Sequence, residues 1–421
     1  MANHKDAAHF ARRSFIKDGG LIIAGGAIGS SIATQASSAA VANRNTEIRI
    51  GVLGCGRRAK EVVSAAIGIP GFKVTVAGLA DRFGSQTQSM FRMLKGRHAD
   101  HIEKSCIRAS GQDALDQLLV ADIDAIYVTT PPVERAAVVR KIVAAGKHVF
   151  LEKPLSSDLE DVLAMNAIAS EAQRQRLTIH TGFQRRYDPR VIDSIEQFQA
   201  GLIGDPVFAK AYCNGGPLRK RSTRSGESAD EYRIKNWNHF VATGGDFLVE
   251  QHVAGLDLIR LALGKMPVAA QGQGGWSESR PMESAENEVD QLGREVFDHQ
   301  TVEYDFGDVM LLSQCRRVAK GWNALGESIH GTKGILDLAA GKAFNRNGDL
   351  IWESSAHSNA KANTLAQQNA FLTSIRDQKA ETQIESAAQS TLIALLGQQA
   401  TISKRRVRMD QMLVQAVSQM S

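Results

Sequence analysis

Lys153 stands in Glu152-Lys153-Pro154, directly after the apolar run His148-Val149-Phe150-Leu151. A lysine held where its ammonium form is disfavoured can donate a proton to a substrate hydroxyl or take one from it. A second chemical cluster lies nearer the start, where the β-branched run 48–53 leads into Gly54-Cys55-Gly56-Arg57-Arg58-Ala59. Gly54 suits a tight turn, Gly56 lets backbone N–H groups approach a pyrophosphate, and the small Ala59 permits close helix-to-strand packing. Residues 73–80 form a further strand pattern ending in Asp81, whose carboxylate can accept hydrogen bonds from adenosine ribose hydroxyls. Asp81 repels a 2'-phosphate and so favours NAD. Its neighbour Arg82 can stack on adenine or pair with that phosphate, which keeps NADP open.

These side chains need elements to position them. After the glycine-rich turn, residues 60–67 have helical spacing; a strand over 124–130 ends at Thr129-Thr130-Pro131-Pro132. Residues 133–145 again have helical spacing, with Gly146 at the C' position, before the strand 148–151. Alternating strands and helices predict a doubly wound parallel sheet with its ligand at the carboxyl ends of the strands. The expected dinucleotide cradle is therefore Gly54, Gly56, Arg57, Arg58, Asp81, Arg82, Thr130, Pro131, Glu152 and Lys153. From about residue 206 the pattern changes to longer alternating runs, 207–212, 301–306 and 309–315, the last two joined at Gly307-Asp308. That junction predicts a hairpin, and with 327–338 it predicts a mostly antiparallel sheet.

The chain has 421 residues, 43% hydrophobic and 23% charged, which fits a globular protein of two or three domains. A formal net charge of +5 gives no reason to expect nucleic acid or an anionic membrane as partner. Cys55, Cys106, Cys213 and Cys315 are far apart, so neither a structural metal nor a disulfide framework is expected, and a single disulfide stays open. Residues 1–42 resemble a twin-arginine signal peptide: Arg12-Arg13 precedes a mild Gly/Ala-rich run, and Ala40-Val41-Ala42 supplies a cleavage site. Such signals imply the twin-arginine export machinery as a partner and a periplasmic destination for an already folded chain. Free nicotinamide nucleotide is scarce there, so a cofactor would be loaded in the cytoplasm and kept.

Gly54-Cys55-Gly56, Thr130-Pro131-Pro132, Ala145-Gly146-Lys147-His148-Val149 and Glu152-Lys153-Pro154 together resemble the Gfo/Idh/MocA oxidoreductase family. The resemblance covers nearly all of the mature chain. It implies an α/β protein: a Rossmann domain over 43–172 and a C-terminal α+β domain over 173–421 with a large, mostly antiparallel open sheet. It further implies NAD or NADP, a sugar or cyclitol substrate, Lys153 as the catalytic lysine, and a homo-oligomer formed through the open sheet. Arg186-Tyr187-Asp188-Pro189 is similar to the glucose-fructose and aldose-aldose oxidoreductases, so Tyr187 inherits a proton-transferring role, with Arg186 beside it as a substrate-binding group. Many members carry Asp-x-x-x-His in the segment corresponding to 244–257. Here Glu250 replaces the Asp and Ala254 replaces the His.

His252 is two residues from Glu250, about 200° round an ideal helix, so both can face a cleft only if the segment is irregular. The register favours Glu250 as a substrate-binding carboxylate; the chemistry favours His252, whose ordinary pKa of roughly 6.5 suits a base near neutrality. Trp237 can present a ring face to the apolar side of a pyranose, whereas the basic loop with Arg219, Lys220, Arg221 and Arg224 reads as solvated. The leading expectation is a periplasmic, NAD(P)-dependent sugar oxidoreductase that retains its cofactor. A hydride that cannot leave returns either to a second sugar or to the same sugar after loss of its leaving group, as in the NAD-dependent glycosidases of this superfamily. A non-catalytic sugar- or nucleotide-binding module is the reading from another class.

Overall fold

The computed structural model describes residues 46–277 and 295–419. The export segment expected over residues 1–42 lies outside the described residues. Six strands form the first sheet: β1 (Thr46–Leu53), β2 (Phe72–Asp81), β3 (Ile102–Ser110), β4 (Ala125–Val128), β5 (His148–Leu151) and β6 (Ile179–Thr181). They pair in parallel in the order β3-β2-β1-β4-β5-β6. The intervening helices are α1 (Arg57–Ile67), α2 (Gly84–Arg97), α3 (Ala114–Leu119), α4 (Arg135–Ala144) and α5 (Leu159–Arg174). Ile50, Val52, Ile126, Tyr127 and Phe150 are fully buried, as continuous apolar strands must be when helices cover both faces. The strand order reverses between β1 and β4, which opens a crevice at the carboxyl ends of these strands.

The chain continues through α6 (Pro189–Gln199), β7 (Pro206–Gly215), α7 (Ala229–Lys235), α8 (Val253–Leu263), β8 (Ala269–Gly275), β9 (His299–Asp305), β10 (Met310–Arg317), β11 (Ala324–Gly331), β12 (Gly334–Asp337), β13 (Lys342–Asn345) and β14 (Leu350–Glu353). It closes with α9 (Ala360–Arg376), α10 (Ile384–Ser403), β15 (Val407–Arg408) and α11 (Met409–Gln419). The second sheet runs β14-β13-β12-β11-β7-β10-β9-β8-β15, antiparallel except for β7 beside β10. The expected hairpin is β9–β10, with Asp305 opposite Met310 and Gly307 at φ +91 in the turn. One face buries Ala209, Ala211, Leu311, Cys315 and Ile329 under α8 and α10; the other leaves Phe208, Tyr212 and Met310 partly or largely open. All four cysteines are free thiols.

The first domain does not close at residue 172. β6 extends its sheet, Ile179 bridges Thr382, and α9 returns to pack Phe371 against Tyr127 and Phe150 with ring centroids 5.7 Å apart in each case. Tyr127 also donates from its hydroxyl to Gln368 at 2.9 Å. The two sheets are therefore joined through shared core as well as by the chain. Local sequence sets the junction: Asp188 accepts from the Arg190 amide at 3.0 Å and Pro189 takes the first helical position, so α6 starts there and Tyr187 stands just ahead of it.

Candidate active site

Gly54 lies at φ +88, and a Cβ there would meet the Thr129 carbonyl carbon and the Thr130 amide nitrogen at 2.8 Å. Only glycine lets the turn approach the end of β4 this closely. Beside it, the N-terminus of α1 has no side-chain cap, and nothing lies within 4 Å of a Cβ built on Gly56. Those are the conditions for a backbone anion cradle, positive at the helix end and sterically open. Asp81 accepts from the Cys55 amide at 2.7 Å and the Phe83 amide at 2.9 Å. Burial pushes its pKa up, opposed by those two amides. At the end of β4 the Thr130 hydroxyl is buried without a hydrogen-bond partner. A dinucleotide fits this set: amides for its pyrophosphate, Asp81 for a ribose and Thr130 for a further polar group. Arg57 and Arg82 are solvent-exposed.

Glu152 and Lys153 close the cradle from β5. The buried Glu152 carboxylate pairs with Arg58 Nε at 2.7 Å and accepts from the Lys153 amide at 3.2 Å. It also presses on β6: a Cβ at Gly182 would fall 2.3 Å from Glu152 Oε2. Arg58 thus acts on the cradle through Glu152. Behind them Arg135, 2% exposed, donates to the backbone carbonyls of Thr130, Glu152 and Pro154. One guanidinium therefore staples the loop after β4 to the loop after β5, and burial pulls its pKa down to about 10. Sequence reasoning missed Arg135, which reads as an ordinary charge at a helix start.

Lys153 Nζ donates to the Glu250 backbone carbonyl. Desolvation pulls its pKa down, opposed by the charges of Glu250 and Glu152 and reinforced by Arg58. Glu250 belongs to a π-helical turn, Leu248–His252, that leads into α8. The Glu250 carboxylate has no hydrogen-bond partner among the described residues and stands within electrostatic reach of Lys153 and Cys213. The fold thus brings Lys153 and Glu250 together at the carboxyl end of β5.

His252 and Arg186 depart from expectation. His252 does not face the cleft: it is 1% exposed, its Nε2 meets the Ser313 hydroxyl at 2.9 Å, and burial with the nearby Arg185 charge pushes its pKa down to about 3. It is a core histidine, neutral at pH 7, and is no base near neutrality. Arg186 is spent on the buried Asp257, with two hydrogen bonds of 2.9 and 2.7 Å, and lies over the Phe183 ring. Its Nε and Nη2 edge is occupied by Asp257 and the Ser386 carbonyl, which leaves only Nη1 without a partner among the described residues. The Tyr187 hydroxyl accepts from Gln383 Nε2 at 3.0 Å, and burial raises its pKa. No hydrogen bond among the described residues joins it to Lys153. Trp237 is half-buried with its ring against Gly244. Arg185, unremarked in the sequence, makes a bidentate pair of 2.6 Å bonds with the fully buried Glu327 beneath the site.

A doubly wound sheet, an open glycine turn and a desolvated lysine at a strand end define a nicotinamide-dinucleotide oxidoreductase domain. Residues 48–181 match the family model described as an oxidoreductase family with an NAD-binding Rossmann fold, and the chain belongs to this Gfo/Idh/MocA family. It is 25% identical over 232 residues to scyllo-inositol 2-dehydrogenase (NAD(+)) of Bacillus subtilis, covering 54% of this chain and 57% of that protein. It is 31% identical over 162 residues to inositol 2-dehydrogenase 1 of Saccharopolyspora erythraea, covering 38% and 44%. These matches span only about half of the relatives' own length. Scyllo-inositol dehydrogenase from Lactobacillus casei, solved with bound NAD(H) and scyllo-inositol, shares the fold with a TM-score of 0.63 and 21% identity, over 87% of this chain and all of that one.

Arg135→Lys keeps the charge but cannot span both loops. Its turnover is expected to fall roughly tenfold to a hundredfold with circular dichroism unchanged; wild-type turnover would show that the loops hold without the staple. His252 stays neutral in the folded chain but takes up a proton near pH 6.5 when unfolded, so its contribution to stability is lost as pH falls from about 6.5 towards 3, at up to about 1.4 kcal/mol per pH unit. Urea titrations should therefore show wild type losing stability relative to His252→Gln between pH 6.5 and 4. Parallel curves would contradict this.

Proposed function

We propose that this chain oxidises a secondary hydroxyl of a sugar or polyol with NAD, Lys153 Nζ taking the hydroxyl proton. The observation that carries this reading is the desolvated Lys153 beside the unpartnered Glu250 carboxylate, at the carboxyl end of β5. The names of the inositol dehydrogenase relatives support a polyol over other alcohols. The bound coenzyme would supply the hydride acceptor. Lowering the pKa of Lys153 raises the share of neutral amine that can accept a proton, and the Glu250 and Glu152 charges stabilise the ammonium that results. Glu250 accepts a hydrogen bond from a second hydroxyl, which orients the reacting carbon. Arg135 and the Arg58–Glu152 pair hold the loop that carries Lys153.

The proton-accepting form is the neutral amine, so kcat/KM for oxidation should rise with pH through the Lys153 pKa. Glu250→Gln removes a charge that holds this pKa up, so the rising limb should move to lower pH; an unmoved limb, or one moved upward, would exclude Lys153 as its source. Lys153→Met should lose roughly a hundredfold to ten-thousandfold in kcat while still binding NADH by fluorescence titration. Unchanged turnover would leave a binding module.

The same reading includes export by the twin-arginine route with the coenzyme retained in the periplasm. It rests on Arg12-Arg13 and Ala40-Val41-Ala42. Mature protein purified without added nucleotide and then denatured should release close to one nicotinamide dinucleotide per chain. Nucleotide-free protein that rebinds NAD only weakly would reduce the reading to an ordinary dissociating dehydrogenase.

A further inference from the structure

Strand register carries one more cation to the cleft. β7, β10 and β11 align Ala211 with Ser313 and Glu327, then Cys213 with Cys315 and Leu325, then Gly215 with Arg317. These residues share the face that packs under the π-turn and α8. Cover thins along the rows: Ser313 and Glu327 are buried, Cys213 is half-buried, Leu325 is 71% exposed and Arg317 half-buried. Cys213 lies within electrostatic reach of Lys153, Glu250 and Arg317 alike. Arg317 is the next residue on this face of β10 after Cys315, about 7 Å further along the strand.

The Arg317 guanidinium rests on the Phe247 ring, 4.0 Å from its centroid, and its Nε is buried without a hydrogen-bond partner. Among the described residues no carboxylate pairs with it. Three arginines beneath and beside the site are matched to acids: Arg58 with Glu152, Arg185 with Glu327 and Arg186 with Asp257. Across the strand pair, Gly215 places no side chain beside the guanidinium; a Cβ there would stand 3.9 Å from Arg317 Nη1. Lys153 has the Glu250 and Glu152 charges within electrostatic reach, whereas Arg317 has no carboxylate partner among the described residues.

We propose that Arg317 receives a carboxylate of the substrate, which makes a sugar acid the preferred substrate class over a neutral polyol. This narrows, and rests on, the oxidoreductase reading above. A planar fork matches a carboxylate with two charge-assisted hydrogen bonds, whereas a neutral diol leaves the cation's desolvation uncompensated. The Phe247 ring holds the guanidinium plane, and Leu325 offers an apolar surface next to it.

Hexuronates and their parent hexoses differ only in this group, so D-glucuronate against D-glucose and D-galacturonate against D-galactose are the probes. Wild type should prefer the acid in at least one pair by about 30-fold in kcat/KM. Arg317→Gln should abolish that preference, and Arg317→Lys should restore part of it. No acid preference in wild type, or the same preference in Arg317→Gln, overturns the proposal. Calorimetry on NADH-loaded protein separates the two readings. An acid bound through Arg317 but never oxidised supports carboxylate recognition and sinks the oxidoreductase reading. Hexoses oxidised as well as their acids sink carboxylate recognition and leave the oxidoreductase reading standing. Neither acid nor hexose bound overturns the proposal as well.

Discussion

A carboxylate buried at the carboxyl end of a parallel strand cannot stand alone, and the surroundings of Glu152 follow from that requirement. Leaving a charge at this depth unpaired would cost several kcal/mol, so Arg58 reaches across from the first turn of α1 to meet it. The carboxylate also takes up the space beside β6, which is why residue 182 has no side chain. The glycine-rich turn, the Lys153 loop and the last strand of the sheet are thereby fixed relative to one another. Arg135 repeats the device with backbone carbonyls in place of a carboxylate, joining the loop after β4 to the loop after β5. Lys153 is held in a poorly solvated position by neighbours whose own hydrogen bonds leave them little freedom.

Charge pairing then sorts structural from chemical groups. Arg185 and Arg186 are adjacent in sequence, yet each is locked to a different buried acid, Glu327 and Asp257, and both work as scaffold. His252 is likewise scaffold, neutral and tied to Ser313. The proposed chemistry is assigned to Lys153 with Glu250, a pair whose members come from different domains. Within the π-turn the two residues still point apart, as residues two positions apart in a helix do: Glu250 lies toward Lys153 and His252 goes into the sheet.

Much of this was legible in the sequence where the cause is local. β-branched runs ending in Gly54, Asp81, Thr130 and Glu152 set strands and their carboxyl ends, and Gly307-Asp308 set the hairpin. Lys153 and Glu250 could be named because each stands at a recognisable register position. The misses share a different cause. Asp257 lies 71 residues from Arg186, Glu327 lies 142 from Arg185 and Gln383 lies 196 from Tyr187, so no window of sequence discloses that these polar groups already have partners. Arg135 escaped for the same reason, since its burial exists only once two separate loops close over it. The return of α9 onto the first domain is a tertiary event too, which moved the domain boundary read from the motifs.

The protonation state of Lys153 is the point on which the chemistry turns. Titration of the Lys153 side chain by NMR in the NAD-loaded protein, assigned by its loss in Lys153→Met, reads that state directly. A midpoint below the ordinary lysine value of about 10.4 is expected from its desolvation. A midpoint at or above that value would mean that the neighbouring carboxylates outweigh burial, and Lys153 would then be a fixed cation rather than the proton acceptor.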